Sequence, residues 1–354
     1  MARENTGMKK SHRTSSAPGQ APEALGSSWS WRRLRRGLAL AVGLAAWALS
    51  QPAGAAESIG PLLQPAQLQA LLREHAALRI VDLRDADAYA AGHLPGAVDA
   101  PYADWRGDAD NPGKLLSVAR FTQLVRSLGL HASDPIVLVS TGDDPSDFGA
   151  PARVYWTLKW LGMRHLSILN GGMTSWRAAG FGQLQRATPS VTPSDFQPHP
   201  DNDLLATRAQ VRQLVGEPHG STVLLDARPP AFWLGKVKAP AALRPGTLAG
   251  SVDFNNLSWF PGGGGALPAP SVLRAIAAGL PGSEQQAAQT VSFCNTGHWA
   301  ATNWFVLSEL LHRPHVRLYP GSMVDWSRHD EPMTHVPSRL DQLWAQLKQT
   351  WQAL

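Results

Sequence analysis

Apolar positions along most of this chain fall into two alternating patterns, short runs of β-favouring residues and longer segments whose apolar residues recur at helical spacing. Ile80–Leu83, Pro135–Ser140, Leu224–Leu225 and Thr290–Phe293 read as strands. Gln67–Leu72, Phe121–Leu128, Ala152–Leu161 and a segment starting near Ala300 read as amphipathic helices. Strands that alternate with helices predict a mainly parallel sheet with helices on both faces, an α/β fold.

The pattern also repeats, with a period of roughly 150 residues. Ile80-Val81-Asp82-Leu83-Arg84 has its counterpart in Leu224-Leu225-Asp226-Ala227-Arg228, and Gly92-His93-Leu94-Pro95-Gly96-Ala97-Val98 in Gly246-Thr247-Leu248-Ala249-Gly250-Ser251-Val252. Each half then has a strand and a helix (Pro135–Ser140 and Thr290–Cys294 mark the strands). Each closes on a matched tract, Leu169 to Trp176 in the first and Tyr319 to Trp326 in the second. Four matched tracts in the same order predict two tandem domains, 57–187 and 201–354, with the proline-rich polar stretch 188–200 as linker. The 354 residues are enough for two such domains.

Residues 1–56 stand outside the repeat. A basic segment ending in Arg32, Arg33, Arg35 and Arg36 precedes an apolar run from Gly37 to Leu49 and a small-residue stretch through Ala56, the order of a secretory signal peptide. The apolar run is shorter than the roughly 20 residues a spanning helix needs, so no stable membrane anchor is expected after cleavage. The expected location is outside the cytoplasm, in the periplasm. The leader also changes the charge argument. The whole chain has 32 basic and 27 acidic residues, of which eight and two lie in the leader, so the mature part carries 24 against 25. Its formal charge is −1, which offers no basic footprint for a nucleic-acid partner.

One cysteine, Cys294, occurs in the whole chain. In an exported protein, a lone cysteine points to an intermolecular bridge or a working thiol. Cys294 ends a predicted strand, and Gly297 turns the chain into the following helix. Backbone amides of such a loop form an anion-binding concavity that favours a thiolate, the nucleophilic form.

The loop Cys294-Asn295-Thr296-Gly297-His298-Trp299-Ala300 resembles the active-site loop of rhodaneses. The Asp-x-Arg after a strand, the Gly-His-Leu-Pro-Gly-Ala turn and the Gly-Gly-x-x-x-Trp closing tract are similar to further landmarks of that family. The resemblance extends over the mature chain and implies two tandem rhodanese-like domains, the first without a nucleophile. The position matching Cys294 in the first half falls at Ser140 or Thr141, followed by an acidic loop with Asp143, Asp144 and Asp147. On this reading the first domain serves structure and lines one wall of the cleft.

The resemblance implies sulfur transfer from a small anionic donor, through a persulfide on Cys294, to a thiol or cyanide. It requires no cofactor, and no cluster of residues shows metal-ligand spacing. The loop amides from Asn295 to Ala300 are expected to cradle the donor, and Arg228 matches the family's substrate-binding arginine, with pairing to a loop acid as the alternative role. Lys236, Lys238 and Arg244 on the next loop are weaker candidates. His298 either adds positive charge near the thiolate or walls the pocket; Trp299 packs; Thr296 is placed to hydrogen bond the sulfur, as a hydroxyl there does in mercaptopyruvate sulfurtransferases. His93 belongs to the turn landmark and is expected to be structural.

The loop departs from both specificity patterns. Asn295 and Thr296 stand where thiosulfate-preferring members carry cations, and Phe232-Trp233-Leu234 where mercaptopyruvate-preferring members carry a second arginine. Thiosulfate is favoured slightly, as a solute outside the cytoplasm. A related phosphatase or arsenate reductase needs an arginine six positions after the cysteine, where this chain has Ala300. A noncatalytic persulfide carrier that delivers sulfur to a partner protein would use the same cysteine and stays open. The glycine run Gly262–Gly265 lacks the lysine and hydroxyl of a phosphate loop and is expected to be a flexible surface loop.

Overall fold

The computed structural model describes residues 59–74, 77–215, 222–280 and 289–338. They belong to one compact unit, Ser58–Leu354. The expected signal peptide lies outside the described residues. No helix among the described residues is long and apolar enough to cross a membrane.

The first repeat holds five strands, β1 (Leu62–Leu63), β2 (Arg79–Asp82), β3 (Val98–Asp99), β4 (Ile136–Val139) and β5 (Leu166–Leu169), in the order β1-β5-β4-β2-β3. Every pairing is parallel. Parallel strands need crossovers, and helices supply them: Pro65–Arg73, Ala86–Ala91, Val118–Ser127 and Gly149–Trp160. The four residues of β4 are all buried, as a strand covered on both faces must be. The Val118–Ser127 helix starts earlier than its apolar period indicates because the Ser117 side chain accepts from the Arg120 N–H and caps it.

The second repeat continues with β6 (Thr222–Asp226), β7 (Thr247–Leu248), β8 (Val252–Asp253), β9 (Gln289–Phe293), β10 (Val316–Leu318) and β11 (Met333–Thr334). Its main sheet runs β10-β9-β6-β8, all parallel, and an isolated parallel bridge from Leu205 to Leu318 stands where β1 pairs β5 in the first repeat. The hydrogen bonds fix the correspondence between repeats at single-residue level. Met173 and Thr174 donate to the Ser140 and Thr141 carbonyls, as Met323 and Val324 donate to those of Cys294 and Asn295. Ser140 is therefore the counterpart of Cys294.

The two repeats share a core. Phe148 and Tyr155 of the first repeat pack against Phe260, Trp304 and Phe305 of the second. Glu309 accepts from Lys159 Nζ at 2.6 Å and from the Tyr155 hydroxyl at 2.9 Å, with 8% of its side chain exposed. The stretch 188–200 carries no regular element but is strapped down: Phe196 is buried, and Ser194 bonds the Leu130 and Arg126 carbonyls.

The two nucleophile-position loops are capped reciprocally. Asn170 exchanges two hydrogen bonds with the Leu267 backbone, and Gly265 is buried so close to the Gly142 carbonyl that a β-carbon there would collide with its oxygen. The glycine run was expected to be a flexible surface loop, but its last residue is a plug over the first repeat's loop. Its glycine is required by close backbone approach rather than by mobility.

Candidate active site

Cys294 follows β9 directly, with 1% of its surface exposed. Gly297 has φ of 71°, a left-handed turn that brings the chain into the Trp299–Phe305 helix, which continues as a π-helical turn, Val306–Leu310. The Cys294 N–H donates to Ser322 Oγ at 3.0 Å, and that hydroxyl donates to the Tyr319 carbonyl at 2.8 Å. Ser322 itself is left-handed, φ 52°, the value of its counterpart Gly172. A buried serine in this conformation is strained, and its hydroxyl pins the backbone of the nucleophile. The backbone N–H groups of Asn295, Thr296 and Gly297 meet no acceptor among the described residues, so they are free to cradle an anion.

The first repeat contributes more than a wall. Arg106 Nη2 donates to the Thr296 carbonyl at 2.9 Å and Arg153 Nη1 to the same oxygen at 3.3 Å. Arg153 is 1% exposed. Gly113 lies against the same loop, where a β-carbon would sit 2.7 Å from the Pro320 carbonyl oxygen and 3.0 Å from Thr296 Cα. Arg328 ties this cover down through the Asp110 carbonyl. Neither Arg106 nor Arg153 was singled out from the sequence. The one signal was a charged residue inside the otherwise apolar helical run Ala150-Pro151-Ala152-Arg153-Val154-Tyr155.

Arg228 takes the alternative role. Its Nε and Nη2 fork onto Asp226 at 2.8 and 2.6 Å, Nη2 also donates to the Gly246 carbonyl, and Nη1 reaches only as far as Asn295 Oδ1, at 3.4 Å. Arg84 of the first repeat makes the same fork onto Asp82 and the same bond to the Gly92 carbonyl, with no nucleophile nearby. A feature present in both repeats belongs to the scaffold: the buried pair braces the turn after the strand. Lys238 donates to the Ala242 carbonyl, Arg244 to that of His329, and Lys236 is exposed. His93 stacks on Tyr89 and bonds its carbonyl, at a distance from the cysteine loop.

His298 is held neutral. Its Nε2 faces the Ser146 carbonyl at 2.9 Å and must carry the hydrogen; its Nδ1 accepts from the Tyr102 hydroxyl at 3.0 Å, which in turn accepts from Arg106. Burial and the Arg106 charge push its pKa down to about 3. It therefore adds no positive charge but joins the repeats. Trp299 donates to Ser146 Oγ at 2.7 Å and packs edge-on against Phe232. Of the predicted site residues, the fold brings Cys294 through Ala300 together, with Arg228 behind them. Among the described residues no group of three or more His, Cys, Asp or Glu side chains is disposed to hold a metal ion.

A Rhodanese-like domain model matches residues 64–179, the first repeat. A Mycolicibacterium smegmatis protein named as a thiosulfate sulfurtransferase is 30% identical over 258 residues, 68% of this chain and 85% of its own. A Pseudomonas aeruginosa protein named as a 3-mercaptopyruvate sulfurtransferase is 32% identical over 289 residues, 76% of this chain and 95% of its own. The crystal structure of SseA from Escherichia coli, described as having the rhodanese fold, superposes with a TM-score of 0.63 at 23% identity, covering 75% of this chain and 99% of that one.

Proposed function

The chain belongs to the rhodanese family of sulfurtransferases, and on that premise we propose that it moves a sulfane sulfur from a small anionic donor through a persulfide on Cys294. The observation that carries this reading is the cysteine itself, set at a strand end under a loop whose amides are free and whose Thr296 carbonyl gathers two guanidinium groups from the other repeat. The Cys294 thiolate attacks the outer sulfur of thiosulfate; the donor S–S bond breaks, and its electron pair leaves with sulfite. Cyanide or a thiolate then takes the outer sulfur of the persulfide, and the Cys294 thiolate returns. The charge balances at each step. Arg106, which enters no ion pair among the described residues, leaves a cation beside the loop for an anionic donor, and thiosulfate keeps a slight preference over 3-mercaptopyruvate as a solute outside the cytoplasm. The two relatives are named for different donors, so their names do not decide between them. The signal-peptide pattern at 1–56 supports a periplasmic site of action.

The test is the intact mass of purified protein after thiosulfate or 3-mercaptopyruvate, then cyanide. Gain of one sulfur, roughly 32 Da, in the wild type and not in Cys294→Ser, with removal by cyanide, is expected. No gain with either donor from a thiol that still alkylates would overturn the small-donor reading and favour a carrier loaded by a partner protein.

A further inference from the structure

Arg153 is a buried cation that no acid among the described residues answers. Arg84 and Arg228, equally buried, each fork onto an aspartate. Arg153 enters no ion pair among the described residues, and its Nε, buried, has no hydrogen-bond partner. What it does have is the Thr296 carbonyl at 3.3 Å and the Trp156 ring, its guanidinium carbon 5.5 Å from the centroid. A β-carbon at Gly297 would collide with Arg153 Nη1, so the glycine of the cysteine loop is also the notch that admits this side chain. A desolvated guanidinium left unpaired is costly, and the cost persists only where something else offsets it.

The groups that face it narrow the choice. The side chains gathered around it from its own repeat are Tyr102 and Arg106, and from the other repeat it meets the cysteine loop at Thr296 and Gly297. Burial and Arg106 both act against its charge, pushing its pKa down to about 9, and only Tyr102 and Cys294 act for it. Tyr102 is itself held in the hydroxyl form, its pKa raised by burial, and it spends its proton on His298 Nδ1. His298 is neutral, and Arg228 is occupied by Asp226. The one ionisable group of the loop that Arg153 touches, besides the neutral His298, is the Cys294 thiol, two residues before the Thr296 carbonyl that the guanidinium holds.

We propose that Arg153, carried by the first repeat, is the counter-ion of the Cys294 sulfur in the second, as thiolate before transfer and as persulfide anion after it. This deepens the sulfurtransferase reading and rests on it only for the persulfide stage. The half of the chain without a nucleophile thus supplies the charge that makes the other half's nucleophile reactive.

The test reads the thiol directly. Alkylation of Cys294 by uncharged iodoacetamide, followed against pH, gives a midpoint that reports thiolate formation. Arg153→Met should raise that midpoint by about one unit, equivalent to about tenfold less thiolate below it. Arg153→Lys, which keeps the charge, should stay within a few tenths. The rate ratio of anionic iodoacetate to iodoacetamide should fall several-fold in Arg153→Met and recover in the lysine variant. An unmoved midpoint and ratio in a folded Arg153→Met protein would overturn the proposal. Should that variant not fold, Arg153→Gln, closer to arginine in length and polarity, supplies the second readout, and an unmoved midpoint and ratio there would equally overturn the pairing. Wild type that alkylates as described but never gains sulfur would sink the transfer reading alone. A persulfide that forms while Arg153→Met leaves the midpoint unchanged would sink this one alone.

Discussion

Ser322 offers the sharpest energetic test of how the nucleophile is held. Its hydroxyl accepts the buried Cys294 N–H at 3.0 Å and donates to the Tyr319 carbonyl at 2.8 Å, from a left-handed backbone with φ 52°. Ser322→Ala removes both bonds and leaves the Cys294 N–H without an acceptor, at a cost of about 1–3 kcal/mol. Alanine bears the same left-handed strain as serine, so nothing offsets the loss, and about 2 kcal/mol is expected. Ser322→Gly loses the same bonds but releases about 1–2 kcal/mol of strain, against a smaller entropic cost of its own. Glycine, the residue the first repeat already uses at this position, should therefore be the less damaging substitution, by about 1 kcal/mol. Urea titration at constant m-value gives both numbers from the midpoints. Persulfide loading should slow by about tenfold or more in both variants, because the sulfur is no longer fixed over the loop. An alanine variant as stable as wild type, or a glycine variant less stable than alanine, would refute the reasoning.

Three further outcomes follow from the geometry. Arg84→Ala and Arg228→Ala should each cost about 3–5 kcal/mol, because each strands a buried aspartate, and similar losses in denaturant titrations are the mark of a shared scaffold role; a change confined to donor KM in Arg228→Ala would return that residue to the site. Since His298 is neutral when folded, its pKa about 3, and protonates near 6.5 when unfolded, the unfolded chain binds the extra proton between these values and stability falls as pH drops from about 6.5. The Tm of His298→Gln should decline less steeply than wild type between pH 6.5 and pH 4, and parallel curves would remove the histidine from that loss. Cys294→Ser should abolish sulfur loading while keeping the wild-type near-ultraviolet circular dichroism, and residual loading would place the nucleophile elsewhere.

What was legible beforehand was local or repeated. The strand, the cysteine, the turning glycine and the helix lie within one short stretch, and their order alone sets the thiol against free amides. The duplicated tracts aligned because each repeat must rebuild the same parallel sheet, down to the aspartate–arginine brace after β2 and β6. That same duplication held the clue that Arg228 pairs with its own aspartate, since Arg84 stands in the same relation to Asp82 in the repeat without the cysteine. What stayed hidden depends on contacts between residues far apart in sequence. Arg106 and Arg153 carry no motif, and only the docking of the Tyr102–Trp105 turn and the Gly149–Trp160 helix against the cysteine loop gives them a partner. Ser322 was visible as the one departure from the Gly171-Gly172 pair in the matched tract, but a serine in place of a glycine discloses nothing until its hydroxyl is seen under Cys294. In the glycine run at 262–265 the first three residues are exposed as a surface loop would have them, and only Gly265 misled, because flexibility and close approach call for the same residue.

The reciprocal capping of the two loops bears on how such a chain can change over generations. Arg106 touches the cysteine loop from 190 positions away, and Tyr102 and Arg153 reach it across the same divide. A substitution at Tyr102, Arg106 or Arg153 is thus felt in the cysteine loop as directly as one within it, so the copy without a nucleophile is not released to drift. Placing a cysteine at Ser140 would not restore a second centre either, since the Gly265 backbone occupies the space above that loop. The two copies have become unequal in what they carry while remaining bound to one another's fate.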